Sequence, residues 1–87
     1  MKFVLLKGAA RDVRESIKFY NDEKNGLGLE FSKEVRKTIS TISQFPEAWP
    51  SINQIFRQCQ LDRFPFSIIY HTEEDRMVII AVAHAKR

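Results

Sequence analysis

The chain has 87 residues, of which 44% are hydrophobic and 29% charged, and its formal net charge is +3. A chain this short buries only about 60% of its unfolded surface, so we expect one domain (residues 1–87) with a small core. It contains no run near the roughly 18 apolar residues that a membrane span requires, and we expect a cytoplasmic protein without a membrane partner. One cysteine and two histidines make an internal disulfide impossible and a metal site improbable, and no cofactor is expected.

The first half of the chain reads as a strand followed by a helix. Residues 2–7 are a short apolar run that predicts a strand, and residues 8–24 carry apolar side chains at helical spacing. That stripe consists of Ala9, Val13, Ile17 and Tyr20. Asp12 and Glu15 are expected near the helix start, where the helix dipole favours negative charge. Gly26 then provides a helix stop, because glycine tolerates the left-handed cap conformation.

A second helix is predicted over residues 27–44, paired with the first as an antiparallel hairpin. Its apolar stripe consists of Leu27, Phe31, Val35, Ile39 and Ile42. Phe45 is expected to continue the packing, and Pro46 ends the helix because the residue before a proline is disfavoured in helical geometry. Residues 47–53, with one tryptophan and one proline, read as a connecting loop.

The last third of the chain changes to a period of two, which indicates strands. Residues 54–61 predict one strand, and residues 63–71 and 76–84 are apolar, β-branched runs that predict a hairpin at the centre of a sheet. The predicted fold is therefore α+β, in the order β-α-α-β-β-β. A helical hairpin packs on one face of a small, mainly antiparallel sheet.

The faces of the hairpin follow from its turn. A turn at residues 73–75 places Thr72 opposite Arg76, and the helices then cover Phe66, Ile68, Tyr70, Val78, Ile80 and Val82. The other face carries Ser67, Ile69, His71, Met77, Ile79 and Ala81 and is also largely apolar. With no third helix to cover it, this open face indicates a partner-binding surface. The alternative is a sheet curled strongly enough to hide it.

The polar residues give weaker signals. His71 and His84 lie near opposite ends of the hairpin, about 20 Å apart at about 3.3 Å per residue, so they cannot act as a pair and a structural role is expected for His84. Cations of the sheet half lie near strand ends, where they could bind phosphates or acidic partner groups or simply be solvated. They are Arg57, Arg63, Arg76, Lys86 and Arg87.

Several motifs spread over almost the whole chain together resemble a known family. They are Ala9-x-x-Asp12, Tyr20, Gly26-Leu27-Gly28-x-x-Phe31, Pro46, Arg63-Phe64-Pro65-Phe66-x-Ile68-x-Tyr70 and Ala81-Val82-Ala83-His84. In order and spacing the chain resembles the RelE/ParE superfamily of toxins from bacterial type II toxin–antitoxin systems, and within it the ParE-like branch. The resemblance implies a small toxin that a cognate antitoxin neutralises by wrapping around it.

The resemblance implies one of two activities. ParE-like members poison DNA gyrase, whereas RelE-like members cut mRNA on the ribosome with several basic side chains on the second and third strands. Here the corresponding positions hold Gln58, Gln60 and Ser67, none of which supplies a cation. We therefore expect a non-enzymatic gyrase poison, with a ribosome-dependent endonuclease as the alternative. Many relatives continue beyond Ala85-Lys86-Arg87, so a degenerate toxin that retains only antitoxin binding is a further alternative.

The ParE-like interpretation gives two sets of candidate site residues. Candidates for binding the target are Arg57, Arg63, His84, Lys86 and Arg87. Candidates for binding the antitoxin come from the predicted open face and are Ile69, Met77, Ile79 and Ala81. No catalytic residue and no metal ligand is assigned.

Overall fold

The computed structural model describes residues 1–86 as two helices packed on one face of a four-stranded sheet. The elements are β1 (Lys2–Leu5), α1 (Lys7–Glu23), α2 (Leu27–Gln44), β2 (Arg57–Gln60), β3 (Phe66–Glu73) and β4 (Arg76–His84). The strand order is β1-β4-β3-β2, with β1 parallel to β4 and the other pairs antiparallel. This confirms the predicted α+β fold and the central hairpin. Neither of the two described helices combines the length and apolar character needed to cross a membrane.

The apolar stripes of both helices face the sheet, as predicted. Phe31 and Ile42 of α2 are fully buried, and Ala9 of α1 is buried beside them. The prediction for Phe45 was wrong, because its side chain is 60% exposed. The backbone N–H of Phe45 still donates to the carbonyls of Thr41 and Ile42, but the residue itself leaves helical geometry and turns its ring to solvent.

Strand β2 is shorter than predicted because a side chain competes for the backbone before it. The Oδ1 atom of Asn53 accepts hydrogen bonds at 2.8 Å from the N–H groups of both Ile55 and Phe56. This local turn removes those N–H groups from any ladder, so pairing with β3 begins only at Arg57, opposite Tyr70. Ile55, predicted as a strand residue, is 65% exposed.

The predicted register of the β3–β4 hairpin was wrong along its whole length, both near the turn and at Ile69, which was expected opposite Ile79. The turn has two residues, Glu74 and Asp75, so Thr72 lies opposite Met77 rather than Arg76. Further along, Tyr70 pairs with Ile79 and Ile69 with Ala81, which leaves Ile80 as an extra residue in β4. A one-residue shift in register moves every side chain of a strand to the opposite face of the sheet. The extra residue of a bulge shifts the register by one more residue, so beyond it the side chains return to their original faces.

This register corrects two of the antitoxin-binding candidates. Met77 and Ile79 lie on the helix-facing side and are 0% exposed, so they belong to the core and not to the open face from which they were chosen. Ile69 and Ala81 do lie on the open face, where both are half-buried. Val78, on the same face, is 4% exposed. The open face is therefore much less accessible than the sequence pattern alone suggested.

Asp12 does not serve the helix start, as the sequence suggested. Helix α1 begins at Lys7 and has no acidic residue in its first turn. Instead, Oδ2 of Asp12 accepts a hydrogen bond at 2.9 Å from the backbone N–H of Val82. Strand β1 ends at Leu5, so this part of β4 has no strand neighbour on that side. The carboxylate replaces the missing strand as an acceptor for a part-buried N–H group.

The two helices approach closely at Gly28. A Cβ atom built there would lie 2.4 Å from the carbonyl oxygen of Ile17 and 2.7 Å from the side chain of Asn21. The Oδ1 atom of Asn21 also accepts a hydrogen bond at 2.8 Å from the N–H of Gly28. The start of α2 is thus held against α1 by a contact that only glycine permits.

We expect Gly28→Ala to lower the free energy of unfolding by about 1–3 kcal/mol, the usual cost of forcing an extra methyl group into a packed contact. The matched control is Gly8→Ala in α1, where the nearest atom to an added Cβ is the Ile80 carbonyl oxygen at 3.9 Å. There the better helix propensity of alanine should leave stability unchanged or raise it by up to about 1 kcal/mol. Urea unfolding of both variants measures the difference, and equal stabilities would contradict the close-contact argument.

Candidate functional site

Three of the predicted target-binding residues lie at one end of the sheet. His84 ends β4 opposite Phe66, the first residue of β3. The N–H of Ala85 donates to the carbonyl of Pro65 at 2.8 Å, so the chain after β4 lies beside the chain before β3. We call residues 63–66 and 84–86 the sheet end. It contains Arg63, His84 and Lys86, although the Arg63 side chain is directed to Glu30 of α2.

His84 is built into the sheet end. Its ring meets the ring of Phe66 edge-on, with centroids 5.0 Å apart, and its Nδ1 accepts a hydrogen bond at 3.0 Å from the backbone N–H of Lys86. The structural role expected for His84 agrees with these contacts, and the side chain remains half-buried.

Arg63 is exposed but paired. Its Nη2 lies 2.7 Å from Oε1 of Glu30, and the two side chains are 60% and 45% exposed. The hydrogen bond and charge of Arg63 lower the pKa of the Glu30 carboxyl, and the same contact raises the pKa of Arg63. The backbone N–H of Arg63 also donates at 2.8 Å to Oε2 of Glu34, a carboxylate that is only 9% exposed. An acidic partner group would therefore have to compete with Glu30 in water.

Arg57 has a structural role that sequence reasoning missed. It lies opposite Tyr70 on the helix-facing side of the sheet, and its Nη1 donates to the carbonyl of Trp49 at 2.7 Å. The Tyr70 hydroxyl donates to the carbonyl of Pro46, also at 2.7 Å. Together these two side chains fasten residues 45–56 to the sheet, and Arg57 is not presented to a partner in the way that Arg63 is.

Lys86 follows the last strand and is exposed, and it forms no ion pair with any of residues 1–86. Of the target-binding candidates that the structure describes, it is the most available cation. Arg87 lies outside the described residues. Arg76, a further strand-end cation, is paired instead with Glu73 at 3.0 Å in the hairpin turn.

The positions at which the resemblance to RelE-like nucleases places basic side chains lie close together and hold neutral residues. Gln60 pairs directly with Ser67, and Gln58 is two residues away on the same face of β2. Such a surface can form hydrogen bonds but provides no positive charge for a strained phosphate. The two histidines lie toward opposite ends of the hairpin, His71 opposite Val78 and His84 opposite Phe66, as predicted. Among residues 1–86, no group of three or more His, Cys, Asp or Glu side chains is placed to hold a metal ion.

A groove that sequence reasoning missed lies between β1 and α2. It has a volume of about 600 Å³, and its walls include Phe3, Arg36, Ile39 and Ser43. Phe3 is 47% exposed although it belongs to a strand. The groove carried no sequence signal because its two walls come from elements that are more than 30 residues apart.

Two helices on one face of a four-stranded sheet, in the chain order β-α-α-β-β-β, define a small α+β domain. The family model described as "ParE toxin of type II toxin-antitoxin system, parDE" matches residues 3–87. This chain belongs to that family. It is also similar in fold to a solved chain of the chromosomal ParDE TA system from P. aeruginosa, with a TM-score of 0.87 and 18% identity over 99% of this chain and 97% of that one. No curated protein matches the sequence.

Family membership makes this chain the toxin component of a type II toxin–antitoxin system. It implies a cognate antitoxin as the partner. The likeness to the solved chain, at this level of identity, adds evidence for the fold alone.

The Tyr70 hydroxyl, which holds residues 45–56 through the Pro46 carbonyl, predicts that the stability of the chain depends on pH. Burial raises the pKa of Tyr70 to about 12 in the folded chain, against a smaller opposing effect of the Arg57 charge. The folded state therefore favours the protonated hydroxyl, and this contribution is complete below about pH 10 and is lost as the pH rises toward 12.

Tyr70→Phe removes the hydrogen bond to the Pro46 carbonyl, and we expect it to lower the free energy of unfolding by about 0.5–1.5 kcal/mol at pH 7. Above pH 10 the difference between the two proteins should shrink, since only the native chain has a hydroxyl to ionise there. Chemical unfolding at pH 7, 9 and 10.5 measures it. A difference that stays constant over this range would contradict the role given to the hydroxyl.

Proposed function

We propose that this chain poisons a gyrase-type DNA topoisomerase through surface contacts, without catalysis of its own, and is neutralised by its cognate antitoxin in the cytoplasm. The proposal rests on membership of the ParE family. It is supported by the neutral side chains of Gln58, Gln60 and Ser67, which leave the open face without the cations that RNA cleavage would need. The candidate contact region is the sheet end.

Within the sheet end, Lys86 is the residue on which we place most of the target contact, because it is exposed and unpaired among residues 1–86. Arg63 would contribute after release from Glu30. His84 would act mainly by shaping the surface through its contacts with Phe66 and the Lys86 backbone. Arg87 is a candidate by its position in the sequence, next to Lys86.

The antitoxin would cover the apolar surface that the free chain leaves accessible. Ile69 and Ala81 on the open face are the surviving candidates from the sequence, and the groove beside Phe3 offers a second apolar area. Exposed apolar area of this kind is a normal mark of a protein-binding surface.

The test combines growth and purified components. Induction of the chain alone in a bacterial host with a DNA-damage reporter should arrest growth and switch the reporter on, and the purified chain should inhibit supercoiling by gyrase. Lys86→Ala should weaken that inhibition about tenfold or more, since a charge-assisted hydrogen bond contributes about 1.5–3 kcal/mol. Lys37→Ala, an exposed lysine on α2, is the matched control and should leave inhibition unchanged.

Other outcomes of the same test would contradict the proposal. Arrest with a silent reporter and cleaved mRNA would indicate a ribosome-dependent endonuclease. Absence of arrest together with tight antitoxin binding would indicate a degenerate toxin. Glu30→Gln adds a check on Arg63, because release of the guanidinium from its partner should strengthen inhibition or leave it unchanged, whereas Arg63→Gln should weaken it.

A further inference from the structure

Helix α1 carries a row of positive charge along its outer face. With about 3.6 residues per turn, positions 7, 11, 14 and 18 fall within about 60° of one another around the helix axis and span about 17 Å along it. The side chains at these positions are all basic and all exposed, and they are Lys7, Arg11, Arg14 and Lys18. We call them the α1 row. The apolar stripe of the helix lies on the opposite side, against the sheet.

The cations of the α1 row have no acidic partners. Within residues 1–86, none of these side chains forms an ion pair or a hydrogen bond, although acids are present on the same helix. Asp12 is turned toward β4, where it accepts the Val82 N–H, and Glu15 also borders β4. The charges of α1 are therefore separated, with the row facing solvent and these acids on the flank nearest the sheet.

The α1 row works against the stability of its own helix. Lys7 and Arg11 are four residues apart, as are Arg14 and Lys18, and like charges at that spacing repel each other on a helix surface. Lys7 also lies in the first turn of α1, where the helix dipole disfavours a cation. Because the fold gains nothing from this arrangement, the row indicates a role in binding.

The character of the α1 row favours a nucleic acid over the other anionic partners. A helix that lies on a membrane buries an apolar face in it, and a protein interface has apolar or aromatic residues at its centre. The apolar side of α1 is already buried in the core, and the row itself contains only cations. A DNA strand places a phosphate about every 3.4 Å along the helix axis, so the row is as long as about five phosphates of one strand.

We infer that the α1 row binds the phosphate backbone of duplex DNA. The assignment to DNA rests on the proposed function, because DNA is the substrate of a topoisomerase. The row lies near the proposed contact region, since Asp12 and Glu15 of α1 line one cavity with Phe66 and His84 of the sheet end. Phosphate contacts carry no sequence information. The row therefore adds affinity for DNA held by the enzyme, whereas the sheet end selects the target.

DNA binding can be measured on the whole chain without gyrase or antitoxin. The probe is a fluorescently labelled duplex of about 20 base pairs and mixed sequence, and its anisotropy is followed between about 50 and 200 mM salt. The dissociation constant should be about 10⁻⁶–10⁻⁵ M at the lowest salt. Its logarithm should rise with the logarithm of the salt concentration with a slope of about 3–4, as expected for four phosphate contacts.

The variant that tests the row carries Arg11→Gln and Arg14→Gln together. It should weaken DNA binding about tenfold or more at 100 mM salt and lower the slope by about 2. Its urea midpoint should stay unchanged or rise, because repulsion within the row is relieved and glutamine has nearly the helix propensity of arginine. The matched control carries Lys33→Gln and Lys37→Gln, two exposed lysines one turn apart on α2, and should bind DNA within about twofold of the native chain.

Several results would overturn the inference. Equal weakening by the two double variants would mean that binding follows net charge and not the row. Loss of antitoxin binding in Arg11→Gln/Arg14→Gln with unchanged DNA binding would assign the row to an acidic protein. An RNA duplex bound at least tenfold more tightly than the DNA would assign it to RNA.

The proposed function is tested separately, by inhibition of gyrase supercoiling with the native chain. Inhibition without DNA binding would overturn the role of the α1 row and leave the gyrase proposal standing. DNA binding without inhibition would contradict the gyrase proposal, and with it the assignment of the row to the DNA of a topoisomerase. Inhibition that weakens in Arg11→Gln/Arg14→Gln but not in Lys33→Gln/Lys37→Gln would support both.

Discussion

The extra residue in β4 determines which side chains of that strand face the helices and which lie on the open face of the sheet. Because Ile80 is inserted between two paired positions, Met77 and Ile79 on one side of the bulge and Val82 on the other all face the helices. All three are at most 2% exposed. Burial of an aliphatic side chain is worth about 1.5–3 kcal/mol, so an unbulged register that exposed either Val82 or the other two would cost several kcal/mol. For an 87-residue domain that is a large part of its total stability.

The bulge also links the core to the candidate sites. Beyond it, β4 has no strand neighbour on the side of β1, and the Val82 N–H is taken by Asp12 of α1. The same course of β4 sets His84 against Phe66 and carries the chain on to Lys86. A core requirement in the middle of the sheet thereby fixes the position of the sheet end.

The two helices, the order of elements along the chain and the central hairpin could be predicted from the sequence, whereas the bulge could not. In each helix the apolar residues at a period of 3.6 identify a single buried face. In α2, for example, the stripe from Leu27 to Ile42 is surrounded by polar residues. In β4, residues 77–82 are apolar without interruption, so a period of two does not identify which set faces the core. The predicted start of β2 was wrong for a different reason, because the Asn53 side chain accepts the N–H groups of Ile55 and Phe56 that pairing with β3 would need.

The cations of the candidate site could be identified from the sequence, but which of them are available to a partner could not. The partners that distinguish those cations are remote in sequence or belong to the backbone. Arg57 donates to a carbonyl, and Arg63 pairs with Glu30, 33 residues away. Composition cannot report either contact, and without them Lys86 has no advantage over the others. The groove beside Phe3 was missed for the same reason, because its walls come from β1 and α2.

The opposed charges at this end of the molecule bear on how a partner is selected. A surface with only cations would attract any polyanion, and its binding would fall steeply with salt. A surface whose cation is paired with a carboxylate, as Arg63 is with Glu30, instead favours a partner whose acidic group is placed to compete for the guanidinium. Such complementarity contributes more to specificity and association rate than to total affinity. A toxin that must distinguish its own target and antitoxin from an excess of nucleic acid gains from that arrangement, even though its net charge is only +3.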